Sequence, residues 1–208
     1  MLPILAVAIG LLTLIFVRTS GSANLSTSSE LQDAMRNAEV ALETEELGRE
    51  VDPNLRAAAL DSAKKLDQYA KDDPTRYTYI YSAGMCYLAA QQYTEAEERL
   101  RLALKIAPQT PSGNDAQAVA DIHHRLGRAL FFKGDYKAAL AESQAAIDMV
   151  SKPGMVPAPE YWWGRAAIEV QLGKKKEALL DIEQALKLNP EHPPSLALQK
   201  YLRNLGVY

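Results

Sequence analysis

VQLGKKKEALLDIEQALKLNP, residues 170–190, carries a glycine ahead of an apolar-periodic run and a proline that closes it. Sliding it along the chain finds two gapless matches, LAAQQYTEAEERLRLALKIAP (88–108) and FFKGDYKAALAESQAAIDMVS (131–151). A small residue falls at the same place in each copy (Ala96, Ala139, Ala178). A second alanine follows two helical turns on (Ala103, Ala146, Ala185), and then an aliphatic residue (Leu104, Ile147, Leu186). Side chains at this spacing share one face of a helix. A short helical unit cannot bury such a face by itself and must stack on its neighbours, so the chain reads as a repeat protein.

Working outward, the spacing predicts helices near 75–90, 93–106, 115–132, 136–149, 159–172, 175–188 and 193–204. No stretch alternates with period two between turn signals, so no sheet is expected. QTPSGNDAQ and KPGMVPAP interrupt the copies with the Pro and Gly that stop helices. Upstream, Asp52-Pro53 and Asp73-Pro74 are helix-start signals, an N-cap followed by proline at the first helical position. Ser29 and Gln32 suit a capping box for a helix over about 30–46, with Leu31, Met35, Ala38 and Leu42 in helical register.

A two-helix unit with -Gly-x-Tyr-x-x-Ala- opening its second helix and -Ala-Leu-x-x-x-Pro closing it resembles the tetratricopeptide repeat, a 34-residue helix–turn–helix. Three units fit, at 77–110, 120–153 and 159–192. The first carries Ile80, Ala83, Gly84, Tyr87, Tyr93, Ala96, Leu100, Ala103, Leu104 and Pro108. The second carries Leu126, Gly127, Leu130, Gly134, Tyr136, Ala139 and Ala146, and the third Trp162, Gly173, Ala178, Ile182, Ala185, Leu186 and Pro190. The third departs from the pattern with Arg165, Ala166 and Glu169 where leucine, glycine and an aromatic are expected. Residues 30–76 read as a degenerate helix pair in front of these units, and 193–208 as a capping helix that covers the last apolar face.

The resemblance implies an all-α solenoid that binds proteins, holding a peptide or helix in a concave groove lined by the first helix of each unit. By position, Thr78, Tyr81, Met85, Leu88 and Ala89 line it in the first unit. Asp121, His124, Arg125, Arg128 and Phe132 follow in the second, then Glu160, Trp163, Ala167 and Gln171 in the third. The strip is aromatic and apolar with two arginines at its centre. An apolar ligand carrying one or two carboxylates would suit it, through stacking and bidentate pairing. The alternative for the arginines is pairing with Asp121, Glu142 or Glu160 on the solvated surface. Members of the family that clamp a free C-terminal carboxylate use Lys and Asn at places held here by Tyr81, Met85 and Ser82, so that clamp is not expected. Trp162 and Trp163 point about 100° apart, so one is expected in the core and the other exposed or covered by a partner.

The rest of the sequence narrows the class. A net charge of −3 with 24% charged residues argues against nucleic acid. The single cysteine, Cys86, permits no internal disulfide and no cysteine-based metal cluster, and its apolar neighbours suggest a buried thiol. His123 and His124 are adjacent on one helix and point apart, unlike a ligand pair at i, i+4. No phosphate loop or nucleophile motif is present, so no enzyme activity, small-molecule substrate, cofactor or metal is expected. MLPILAVAIGLLTLIFV carries no charged side chain before Arg18. At about 1.5 Å per residue it spans about 25 Å, enough for a compressed bilayer.

Residues 1–18 are therefore expected to form a hydrophobic anchor, with membrane contact through 2–17 and 19–29 as a flexible tether. Arg18 on the C-terminal side leans the repeats toward the cytoplasm, with the periplasmic side as the alternative. Cleavage after Ala23 would instead release a soluble periplasmic protein. Together these features describe a membrane-anchored adaptor that supports assembly or stability of a membrane-associated complex. The alternative is a permanent subunit, whose anchor packs through Ala6, Ala8 and Gly10.

Overall fold

Glycine and proline punctuate the chain into helices joined by short turns. The computed structural model describes residues 25–108, 114–152 and 154–207. Among these residues the regular structure is entirely helical: α1 (Leu25–Glu46), α2 (Pro53–Asp72), α3 (Tyr77–Ala89), α4 (Tyr93–Ile106), α5 (Asn114–Phe132), α6 (Tyr136–Val150), α7 (Pro159–Gln171), α8 (Lys175–Leu188) and α9 (Pro193–Asn204). Each of α3–α4, α5–α6 and α7–α8 is an antiparallel pair, and the pairs stack in chain order.

Local chemistry sets the boundaries. Asp52 caps α2 by accepting from the Asn54 amide at 2.8 Å, and Asp135 caps α6 by accepting from the Ala138 amide at 3.1 Å. The turn inside each pair needs one left-handed residue at a fixed register. Gly134 (φ 83°) and Gly173 (φ 77°) supply it in the second and third pairs, but in the first it is Gln91 (φ 60°). A side chain there costs about 1–2 kcal/mol of backbone strain, so Gln91 must return something. Its amide group accepts from Arg56 Nη1 and donates to Glu45 Oε1, both at 2.7 Å, tying α2 and α1 to the turn.

Small residues set the closeness of the pairs. A Cβ on Gly84 would lie 2.8 Å from Leu100 Cγ, and one on Gly127 would lie 2.8 Å from Ser143 Oγ and 3.3 Å from the Ala139 carbonyl. Ala96, Leu100, Ala103, Ala139 and Ala146 are sealed between the helices. In the third pair an ion pair stands in for part of this packing. Arg165 Nε and Nη2 each reach Asp181 at 2.6 Å, and the Arg165 guanidinium lies 5.0 Å from the Trp162 ring centroid. Glu169, at the expected aromatic position, is buried with Oε2 unpartnered.

Three features differ from the sequence reading. Asp73, expected to cap α3, instead ends α2 as its C-cap, and α3 begins at Tyr77 behind Arg76. α1 begins at Leu25, so 25–29, expected as tether, are helical. No glycine or proline lies between Gly21 and Gly48 to stop the helix short of there. The largest difference is where α1 lies. It packs more extensively on α3 than on its own pair partner α2, the reverse of the order in which the downstream pairs are built. α2 is welded to the solenoid independently: Asp67 receives Tyr87 Oη at 2.8 Å and the Arg99 guanidinium at 2.6 and 2.9 Å.

At the other end α9 and the residues that follow it close the stack, through Leu202 and Val207 against Ala178, Leu179 and Ile182. Among the described residues no helix is long and apolar enough to cross a membrane. The expected anchor, residues 1–18, lies outside the described residues.

Candidate partner-binding groove

The first helix of each pair, α3, α5 and α7, contributes to one face, and the expected groove residues fall on it with steeply different exposure. On α3 every residue from Ile80 to Ala89 is buried, including Tyr81, Met85 and Leu88. On α5 His124 and Arg128 are buried (2% and 7% exposed), Arg125 is half-buried, and Phe132 is 39% exposed. On α7 Trp163 and Ala167 are half-buried and Gln171 is exposed. Burial falls from the first pair to the third because α1 lies over the first part of this face.

α1 meets α3 through small side chains. Ala34, Ala38, Ala41 and Leu42 are buried in the same core as Tyr81, Met85 and Leu88, and Cys86 Sγ sits 3.7 Å from the Ala34 carbonyl oxygen. Burial pushes the Cys86 thiol up to about 12, so it is a packing residue and not a nucleophile. The acidic end of α1 reaches α5. Arg128 Nη1 donates to Glu46 in a short contact, and Nη2 lies 3.4 Å from Glu45 Oε2. Both Arg128 and Glu46 are nearly sealed from water, where neither charge survives alone without a large desolvation cost. Arg125 lies in the field of Glu39, Asp121 and Glu46, with its Nε unpartnered. Neither arginine takes the Glu142 pairing considered from sequence, since Glu142 faces His123 at 2.7 Å.

Beyond the end of α1 the face is open. A cleft of about 100 Å³ lies between α5 and α7, walled by Phe131, Phe132, Trp163, Ala167 and Ile168 and floored by His124. Its size suits one large apolar side chain. Tyr93 stacks on Phe132 with ring centroids 4.9 Å apart and fixes that wall. His124 packs 5.1 Å from the Tyr161 ring and against Gly164, where a Cβ would lie 3.0 Å from His124 Cε1. Burial, then the charges of Arg125 and Arg128, hold the His124 imidazole well below its ordinary range, so the ring is neutral and its Nε2 is unpartnered.

Trp162 and Trp163 split as helix geometry requires, but neither is fully buried. Trp162 packs on the Ala120–Ile147–Val150–Tyr161 cluster, and Trp163 packs on the C-terminal core while walling the cleft. Under the rim, Tyr161 donates to Asp121 and accepts from Gln117 Nε2 at 2.6 Å.

Glu45, Glu46, Phe131, Gly164 and Ile168 also line the cleft, and position in the repeat alone had not marked them. For Glu45 and Glu46 the available signal was the alanine spacing and acidic end of LQDAMRNAEVALETEE. One constellation has the look of a catalytic triad: His192 Nδ1 lies 2.7 Å from Ser195 Oγ, and Nε2 lies 3.9 Å from Glu160. Ser195 has no exposed surface, so its hydroxyl has no route to a substrate, and the pair pins the first turn of α9. Among the described residues no three of His, Cys, Asp and Glu are grouped to hold a metal.

Comparison with known proteins agrees with this architecture. Tetratricopeptide repeat models match residues 76–152 and 124–193. No curated protein sequence matches the chain. Among solved structures it is similar to the crystal structure of MamA (16% identity, 73% of this chain and 80% of that one, TM-score 0.58). It is also similar to the MamA RS-1 ArsTM double mutant (13% identity, 85% of each chain, TM-score 0.59). At these identities the likeness concerns the fold alone. Over residues 76–193 the chain belongs to the tetratricopeptide repeat family.

Proposed function

We propose that the chain is a membrane-tethered scaffold that captures a protein partner on the open part of the α3–α5–α7 face, between α5 and α7, and supports assembly or stability of a membrane-associated complex. The observation that carries the capture is the aromatic cleft between α5 and α7. It has a partly exposed Phe132 and a half-buried Trp163 above a buried, neutral His124. Buried aromatic anchors of this kind dominate protein–protein recognition. The tether rests on MLPILAVAIGLLTLIFV alone, and Arg18 leans the repeats toward the cytoplasmic side. Small residues Ala6, Ala8 and Gly10 in that segment favour a second reading, a permanent subunit whose anchor packs against other helices.

The test is affinity capture from detergent-solubilised membranes, comparing wild type with Phe132→Ala/Trp163→Ala. A partner retained by the first and lost by the second supports recognition in the cleft. Identical partners from both would move recognition to another surface.

A further inference from the structure

α1 occupies the groove as a ligand would. α3 keeps no free face, because α2, α4 and α1 enclose it. The seat under α1 holds Ala34, Ala38 and Ala41 together with one larger side chain, Leu42, and brings Cys86 Sγ to 3.7 Å from the Ala34 carbonyl. At the far end, Arg128 takes two successive carboxylates, and Arg125 lies within the field of a third, Glu39.

α1 is held less like a structural helix than like a docked one. Its contact with α2 is thinner than any first helix of the later pairs makes with its partner. It joins α2 through Leu47–Asp52, where Gly48 sits at φ 66° with open space around it. What fixes its end is a polar clasp, Arg128 to Glu45 and Glu46 and strained Gln91 to Glu45. A left-handed glutamine in the turn where both other pairs have glycine is retained backbone strain in the service of that clasp.

We infer that α1 is an internal stand-in for a helix that the same groove receives from a partner: an amphipathic helix with an alanine-sized face and two successive carboxylates at its C-terminal end. Docking and α1 are then mutually exclusive, and the affinity for the partner helix is reduced by the fraction of molecules whose α1 is seated. The seat is the helix-in-groove mode, in which small and apolar anchors recur at i, i+4 and i+7, as Ala34, Ala38 and Ala41 do here. The inference rests on the reading of the α3–α5–α7 face as a binding surface. Failure of that reading would show in the capture experiment, whereas failure here shows in a peptide titration.

The probe is a fluorescein-labelled peptide of residues 30–47, titrated by anisotropy into the full chain. Wild type should bind it weakly, because the seat is filled. Glu45→Lys/Glu46→Lys turns the resident end against Arg128 and should bind the peptide about tenfold tighter or more. Adding Arg128→Glu to that variant should remove the gain. Gln91→Gly loosens the clasp without changing charge and should give an intermediate gain, which keeps the comparison available if the double lysine variant does not fold. Equal binding by wild type and the loosened variants would overturn the proposal, as would no binding by any of them. Light scattering that shows the loosened chains pairing with one another would also overturn it, assigning the seat to a second copy.

Discussion

At the residue scale, the repeat works because a few positions admit only one size of side chain. Gly127 is the clearest, since a Cβ there would meet the Ser143 hydroxyl and the Ala139 backbone at once. Gly127→Val should destabilise the protein by about 1–3 kcal/mol through overpacking, seen as a lower urea midpoint with an unchanged slope. Glu169 makes the opposite case. Burial, then Asp181, push its carboxyl up from 4.5 to about 7, while Arg165 offsets only part of this. Because the carboxyl ionises near 4.5 in the unfolded chain and only at about 7 in the fold, it costs stability progressively as pH rises through that interval. Glu169→Gln should therefore stabilise by about 1–3 kcal/mol at pH 8. The gain should fade as pH falls from 7 toward 4.5, and a gain that stays flat across that window would show that Glu169 is not held neutral. Both residues were visible in the sequence, Gly127 as a match to the repeat and Glu169 as a departure from it. The orphaned Oε2 needed three dimensions.

At the element scale, α3–α9 fall close to where the periodicity and Pro/Gly punctuation put them, because each boundary is set by residues adjacent in sequence. Asp52-Pro53 starts α2 and Gly134 and Gly173 turn the second and third pairs. α1 is different. Its helical character was legible in Leu31, Met35, Ala38 and Leu42, but its seat was not, since that depends on partners far along the chain at Cys86 and Arg128. Thus the cover over Tyr81, Met85 and Leu88 could not be seen from α3 alone.

The same long-range seating makes α1 the weakest-held of the first helices. Amide hydrogen exchange should find α1 opening before α3 and α5, with an opening free energy below the global value. Gln91→Gly should lower α1 protection by about an order of magnitude, leaving α3 and α4 unchanged. Protection of α1 equal to that of α3 in both proteins would show instead that α1 is an integral part of the solenoid.

At the scale of the whole molecule, the tetratricopeptide stack presents a face whose exposure is graded. It is sealed under α1 at the first pair, ion-paired at the second and open at the third. Charge follows the same gradient. Arg128, expected to meet a partner's carboxylates, meets those of the chain's own first helix. Away from this face, Glu97 holds Lys133 at 2.6 Å and Arg101 at 2.8 Å. Leu180 stands out there at 60% exposed and offers a reference point away from the groove. The most direct measurement is photo-crosslinking in cells, with benzoylphenylalanine placed at position 132 in the cleft or at 180. Protein adducts from 132 and not from 180 are the predicted result. Adducts from 180 alone, or the same adducts from both, would contradict recognition through the cleft.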